Sequence, residues 1–192
     1  MNLNELRGTK ETDYCYLVGN GSNMDTNQLK RPSFATNLIN RIYPATNWRP
    51  KYYICTDPVV LDKYEDEVVA NIMSCKIAFV PTEAMVKYGY SNVIPLVIKY
   101  EQTDAPITEG VYSYGSTLFI ALQIARHIGY DTAIIQFCDL YFGKELHFYA
   151  REKDIMTDLS PEELSRRRAR NILTHAKMIG YADKHGMKVY YQ

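Results

Sequence analysis

The sequence predicts a single α/β domain in three layers, with helices on both faces of a mostly parallel sheet. Three observations predict it. Strand-like and helix-like segments alternate along the chain. The strand-like runs are continuously apolar, as expected of strands buried on both faces. A chain of 192 residues, 46% hydrophobic, can build one complete core without a second. No repeat, low-complexity tract or linker interrupts the pattern, so residues 1–192 are expected to form one domain, with 1–12 a flexible or peripheral segment.

Tyr14–Val18 reads as the first strand, and it stops at Gly19-Asn20-Gly21-Ser22. Two glycines flanking an asparagine end a strand where the chain must turn tightly and bring bare backbone close to a ligand. An extended piece surrounds Phe34, and Lys51–Thr56 reads as a further strand. From Pro58 to Ser74 the residues Val59, Val60, Tyr64, Val68, Ile72 and Met73 recur at near-helical spacing with acids between them, predicting one helix. Lys76–Val80 is a strand closed by Pro81, and a short helix covers 82–88. Val93–Tyr100 is extended, with Pro95 pointing to a sheet edge or an irregular start. Ser116–His127 is a helix that ends at Gly129 and leads into a buried strand, Asp131–Phe137. Asp139 stands just past that strand, where open α/β sheets gather ligands. Ser160-Pro161-Glu162-Glu163 supplies an N-cap, a first-turn proline and a capping box. That helix runs to Lys184 and Gly186 ends it. Lys188–Tyr191 is the last strand.

Charge limits the partners. Lys plus Arg equal Asp plus Glu at 22 each, so no global field favours nucleic acid or an anionic membrane. Residues 1–13 lack the apolar segment of about 7–15 residues that a secretion signal needs, and no run is long enough to span a membrane. The four cysteines are scattered without a Cys-x-x-Cys pair and read as reduced thiols, which places the protein in the cytoplasm. Seventeen tyrosines are an excess; a ring with a hydroxyl tip suits the lining of a polar cleft.

Five short polar elements converge on one edge of the predicted sheet. Four follow strands or the turns after them: Gly19-Asn20-Gly21-Ser22, Asn40-Arg41, Asp57-Pro58 and Asp139-Leu140-Tyr141. The fifth, Tyr114-Gly115-Ser116-Thr117, opens a helix, whose N–H groups and dipole favour phosphate. Each has a plainer reading: Asn40 as a turn residue, Asp57 as an N-cap, Ser116 or Thr117 as a cap, Asp139 as a loop carboxylate. Together they make a ligand cleft the better explanation. No Asp-x-Asp pair of the kind that holds Mg²⁺ or Mn²⁺ is present, so no metal is expected. The turn at 19–22 also lacks the third glycine of Gly-x-Gly-x-x-Gly, since position 24 is Met24. Where an acidic ribose ligand would stand, the chain has Ile39, Asn40 and Arg41, which disfavours dehydrogenase and methyltransferase readings.

The order of these elements resembles the metal-independent, Rossmann-like glycosyltransferases typified by bacterial sialyltransferases that use CMP-sugars, and the wider related group that includes archaeal pterin diphosphokinases. Gly19-Asn20-Gly21-Ser22 is similar to the Gly-Asn-Gly-Pro-Ser turn of that group, with Ser22-Asn23 in place of Pro-Ser. Asn40-Arg41-Ile42-Tyr43 resembles the asparagine segment that touches the nucleotide, and Tyr53–Pro58 the strand whose terminal Asn or Asp reaches the ribose or base. Gly115-Ser116-Thr117 and the helix behind it resemble the small-residue turn of the group. Gln136–Tyr141 resembles its strand ending in Gly-x-Asp, with Tyr141 where the sialyltransferases place a tyrosine on the phosphate. The likeness spans Tyr14 to about Tyr149. It implies a nucleotide-sugar as co-substrate and no cofactor.

One departure bears on the chemistry. The histidine that those sialyltransferases use as base, just before the final helix, falls at Ala169. His147, in Leu146-His147-Phe148-Tyr149, resembles a His-Phe element of the wider group and titrates in the right range for a base; an exposed loop histidine is the plainer reading. His175 reads as a packed or surface residue of the last helix, and His127 and His185 as helix C-terminal residues. Arg166 and Arg170, four apart, share a helix face and are candidates to stabilise a departing phosphate, with a solvated face as the alternative. The leading expectation is a glycosyltransferase acting on a hydroxyl of a glycan, lipid-linked or modified-base acceptor. Pyrophosphoryl transfer with ATP and Mg²⁺, and nucleotide binding without turnover, are the alternatives. Oligomeric state is open, a homo-oligomer included.

Overall fold

A computed structural model of the chain describes residues 1–21, 24–100, 106–138 and 160–192. Its strands are β1 (Tyr14–Val18), β2 (Ser33–Thr36), β3 (Tyr52–Ile54), β4 (Ile77–Pro81), β5 (Val93–Leu96), β6 (Ile98–Lys99), β7 (Val111–Tyr112), β8 (Thr132–Gln136) and β9 (Lys188–Tyr191). Its helices are α1 (Pro58–Lys63), α2 (Glu65–Ser74), α3 (Met85–Tyr88), α4 (Thr117–Ile128) and α5 (Pro161–Lys184). Seven strands form one sheet in the order β5-β4-β3-β2-β1-β8-β9, and every adjacent pair is parallel. β6 and β7 form a separate parallel pair. The chain thus steps outward from β1 to β5, then returns across the sheet to place β8 on the other side of β1. That reversal is the topological switch point at which open α/β sheets hold ligands.

Side-chain alternation along the strands builds two apolar layers. Cys15 and Leu17 of β1, Phe34 of β2 and Ile54 of β3 point to one face, where Phe119, Leu122 and Ile124 of α4 and Met178 and Ala182 of α5 cover them. Tyr16 and Val18, Ala35 and Tyr53 point to the other, under Leu38, Ile42, Val60, Val68 and Ile72. Each fully buried side chain of this size contributes about 1.5–3 kcal/mol. α4 is buried on nearly all sides, and its one interior polar residue is matched: Gln123 donates from Nε2 to the Tyr112 carbonyl at 2.8 Å and accepts the Tyr112 N–H at Oε1 at 3.0 Å. This holds β7 to the helix. Part of the tyrosine excess goes into the core, where Tyr52, Tyr53, Tyr88 and Tyr130 are among the largest fully buried side chains.

Three local expectations change. The helix expected over 58–74 breaks at Tyr64 (φ −125°, ψ 45°), which ends α1 and precedes α2. There the Tyr64 ring lies 5.3 Å from the Arg41 guanidinium, while Glu65, Asp66 and Glu67 crowd the α2 N-terminus, where the dipole favours them. The extended piece near Phe34 is a full strand in mid-sheet, buried at all four positions. Within residues 1–12, expected to be peripheral or flexible, Leu3 and Leu6 sit in the core below a capping box between Asn2 and Glu5. Pro95 behaves as read, exposed on the edge strand β5.

Candidate functional site

The C-terminal ends of β1, β2, β3 and β8 open toward the N-terminus of α4, and polar contacts tie these five places together. Gly19 leaves β1 against the end of β8, its N–H donating to the Gln136 carbonyl at 2.9 Å; Gly21 N–H donates to the Phe137 carbonyl at 2.7 Å. A Cβ built on Gly19 would stand 2.6 Å from the Phe137 oxygen, so backbone packing alone demands glycine here. Asn20 is buried, and its Nδ2 donates to the Thr36 carbonyl at 3.0 Å, joining the ends of β1 and β2.

Beyond β2, Asn37 takes a left-handed conformation (φ 51°), which asparagine tolerates better than most residues. Its Oδ1 faces the Thr117 hydroxyl at 3.5 Å, and Thr117 Oγ1 lies 3.3 Å from Thr56 Oγ1 beyond β3. The first residue of α4 is thereby fixed over the ends of β2 and β3. Before it, Tyr114 (φ 42°) and Gly115 (φ 75°) form a left-handed turn, which the Ser113 hydroxyl supports by accepting the Gly115 N–H at 3.1 Å. Ser116 occupies the N-cap position of α4 with an extended backbone, and its side chain makes no capping hydrogen bond. A buried helix thus begins at the switch point with no side-chain cap at its N-terminus, the arrangement that suits an anion.

α5 completes the site. Thr174 donates to the Tyr114 carbonyl at 3.1 Å, clamping the helix to the turn. One turn earlier Arg170 lies over Gly115: a Cβ on that glycine would sit 3.6 Å from Nε and 3.7 Å from Cζ. The Arg170 side chain therefore lies beside the turn that leads into α4. Arg166 does not share that position. Its Nη2 pairs with Glu162 Oε1 at 2.7 Å, both side chains about three-quarters exposed, as a helix-surface ion pair of small worth.

Asn40 and Asp57 both make hydrogen bonds within the chain. Asn40 accepts from Asn71 Nδ2 at 2.9 Å and donates to Glu67 at 3.3 Å; the fully buried Asn71 also donates to the Asn37 carbonyl at 3.1 Å and accepts the Tyr43 hydroxyl at 2.9 Å. Asn40 thus belongs to the network beneath Asn37. Asp57 caps α1, accepting the Val59 N–H at 2.9 Å, ahead of Pro58. Ser22, Asp139, Tyr141 and His147 lie outside the described residues.

The network rests on Arg41, which binds Glu67 through Nε and Nη2 at 2.8 and 2.9 Å. This hydrogen bond, opposed in part by burial, holds the Glu67 carboxyl below its usual value. A lowered carboxyl stabilises the fold above the unfolded glutamate value of about 4.3, and the contribution fades as pH falls through the lower folded value. Glu67→Gln is therefore expected to flatten the acid-side decline of unfolding free energy below about pH 5, measured by urea denaturation across pH; a decline identical to that of the parent chain would contradict it.

Among the described residues no three His, Cys, Asp or Glu side chains are grouped to hold a metal ion, and no helix is long and apolar enough to cross a membrane. No protein-family model matches the chain, and no curated protein matches its sequence. Solved structures share its fold. The sialyltransferase CstII from Campylobacter jejuni, in complex with the substrate analogue CMP-3FNeuAc, is 11% identical with a TM-score of 0.50, over 93% of this chain and 80% of that one. The monofunctional α-2,3-sialyltransferase Cst-I from the same organism is 13% identical with a TM-score of 0.54, over 96% and 77%. Sialyltransferase CST-II in complex with a trisaccharide acceptor and CMP gives 12% identity and a TM-score of 0.53, over 93% and 80%. At these identities the likeness is one of fold. It supports the sialyltransferase-like architecture, not the pterin diphosphokinase group.

Proposed function

We propose that this chain is a glycosyltransferase that binds a nucleotide-sugar at the β1–β8 switch point and moves the sugar to an acceptor hydroxyl without a metal ion. The observation that carries the reading is Arg170 lying over Gly115 at the N-terminus of α4. A guanidinium and a helix N-terminus directed at one point are what a leaving phosphate needs in place of a divalent cation. The sialyltransferase-like fold supports the same donor class, since one of those structures holds a CMP-sugar analogue.

In this reading the Gly19–Ser22 turn approaches the nucleotide through its backbone, and Asn37, Thr56 and Thr117 line the side where β2 and β3 end. As the acceptor oxygen bonds to the anomeric carbon, the sugar–phosphate bond breaks and charge accumulates on the phosphate oxygens. Arg170 and the first turn of α4 stabilise that charge, with Ser116 and Tyr141 as further hydrogen-bond donors. His147 takes the acceptor proton, and Asp139 belongs to the nucleotide side of the site. Asn40 supports the site through Asn71, and Asp57 through the start of α1. Arg166 is a reserve cation on the same helix, reaching the ligand only by leaving Glu162.

The test is nucleotide release. Incubation with CMP-, UDP- and GDP-linked sugars in EDTA, followed by chromatography, is expected to free one nucleotide from one donor. Turnover confined to ATP with Mg²⁺ would replace the proposal by pyrophosphoryl transfer. Binding of every donor without release would make the chain a non-catalytic nucleotide binder.

A further inference from the structure

Cys138 stands two residues past the end of β8, and its Sγ lies 3.1 Å from Nε2 of His175 in α5. The other ring nitrogen, Nδ1, lies 2.8 Å from the Tyr191 hydroxyl of β9. Thiol, imidazole and phenol form one hydrogen-bonded chain across three neighbouring elements. His175 is buried at 7% exposure, whereas Cys138 is half-buried. The titratable groups facing the thiol among the described residues are His175 and Tyr191; the amides of Gln136 and Gln192 pair beside them at 3.1 Å.

Burial keeps His175 below the ordinary histidine value and raises the Tyr191 phenol to about 12, so near neutral pH the ring is uncharged and the phenol keeps its proton. With Nδ1–H donated to the Tyr191 oxygen, Nε2 is the acceptor that the Cys138 S–H requires. With the Tyr191 O–H donated to Nδ1, Nε2–H is donated to sulfur and favours the thiolate. Only the first leaves Nε2 able to take the thiol proton, and the imidazolium that results holds the thiolate beside it. Among the described residues no other cysteine is paired with an imidazole: Cys15 and Cys55 are fully buried, and burial raises the Cys55 and Cys75 thiols to about 12.

We propose that Cys138 is a nucleophilic thiol whose base is His175 and whose co-reactant is a low-molecular-weight disulfide. The proton passes from Sγ to Nε2. The thiolate attacks one sulfur of RS–SR, a Cys138–SR bond forms as the RS–SR bond breaks, and RS⁻ leaves and takes the proton from the imidazolium. The Cys138 sulfur is oxidised and the departing sulfur reduced. Tyr191 is a positioning residue that holds the ring through Nδ1. This chemistry goes beyond nucleotide-sugar transfer and does not depend on it.

The probe is 5,5′-dithiobis(2-nitrobenzoate), followed by release of the coloured thiolate from pH 5 to 9, with peptide mass spectrometry to locate the adduct. One fast thiol is expected, at Cys138, and Cys138→Ser removes that phase. The rate–pH inflection of that phase is expected below the ordinary thiol value of about 8.5. His175→Gln is expected to slow the phase about tenfold at pH 6.5 and move the inflection up to the ordinary value. Tyr191→Phe moves it upward by less; an unchanged inflection there removes Tyr191 from the assignment. A parent-chain inflection at the ordinary value, or fast modification of Cys75 in place of Cys138, overturns the proposal. Those two readings need no variant to fold.

Discussion

Arg170→Ala is expected to weaken binding of a nucleotide monophosphate about 10- to 100-fold, because a charge-assisted hydrogen bond to phosphate is worth about 1.5–3 kcal/mol. The loss in transfer should be larger. Charge on the phosphate grows as the sugar leaves, and removing one donor from a charge-stabilising site typically costs about 10²–10³ in turnover. The variant should fold normally, since the Arg170 side chain is exposed and the helix clamp runs through Thr174 and the Tyr114 carbonyl. Arg166→Ala is the internal comparison. Its guanidinium is engaged with Glu162 in solvent, so its effect on binding should fall within about 3-fold, in line with the small worth of surface pairs. Isothermal titration of both variants checks the pair; equal losses would mean that the two arginines act together and that Gly115 does not mark the phosphate position.

Gly19→Ala is expected to destabilise the fold by about 3 kcal/mol, at the upper end of what one added methyl costs in a well-packed place. The methyl would meet a carbonyl oxygen at 2.6 Å, and that oxygen belongs to Phe137, which itself has a positive φ and accepts the Gly21 N–H. Neither partner is the end of a flexible side chain, so relief requires the ends of β1 and β8 to part. For a chain of this length the melting temperature should fall by roughly 6–12 °C. Differential scanning calorimetry measures it, and a shift under about 2 °C would show that the strand ends separate without strain.

These two positions illustrate what the sequence discloses. Gly19 and Gly115 were readable because a glycine after an apolar run or before a helix marks a turn, and turn chemistry is local. The same locality explains why α5 begins at Pro161 behind the Ser160–Glu163 capping box and why β1 and β9 have their expected ends. Asn37 and Thr56 carried no such mark. They reach Thr117 only because β2 and β3 are neighbours in the sheet and α4 returns over them, a juxtaposition across 80 and 61 positions respectively. Asn40 shows the converse: it stands where a nucleotide ligand was expected, but Asn71 and Glu67, far along the chain, engage its amide. Helical spacing placed Arg166 and Arg170 on one face without revealing that Glu162 would claim the first. The break at Tyr64 was invisible for a similar reason, since neither glycine nor proline stands there and the partner of its ring is Arg41.

Burial accounts for part of the tyrosine excess. Tyr53 and Tyr88 turn their hydroxyls to backbone carbonyls, of Asn37 at 2.8 Å and Leu61 at 2.6 Å, and pack their rings in the core. A buried ring with a satisfied hydroxyl stabilises a core much as phenylalanine does. The Tyr53 bond also ends on Asn37, so the core and the crevice share a residue.

The central claim is that a nucleotide phosphate binds at the α4 N-terminus beside Arg170 without a divalent metal. Its most direct test is a thermal-shift panel of CMP, UMP, UDP, GDP and ATP in EDTA and again in Mg²⁺, on the parent chain and on Gly115→Val, which puts a side chain against the guanidinium at a φ of 75°. At least one nucleotide is expected to raise the parent's melting temperature equally in EDTA and in Mg²⁺, and the variant should lose that shift. Stabilisation only by ATP with Mg²⁺, or equal shifts in parent and variant, would contradict it.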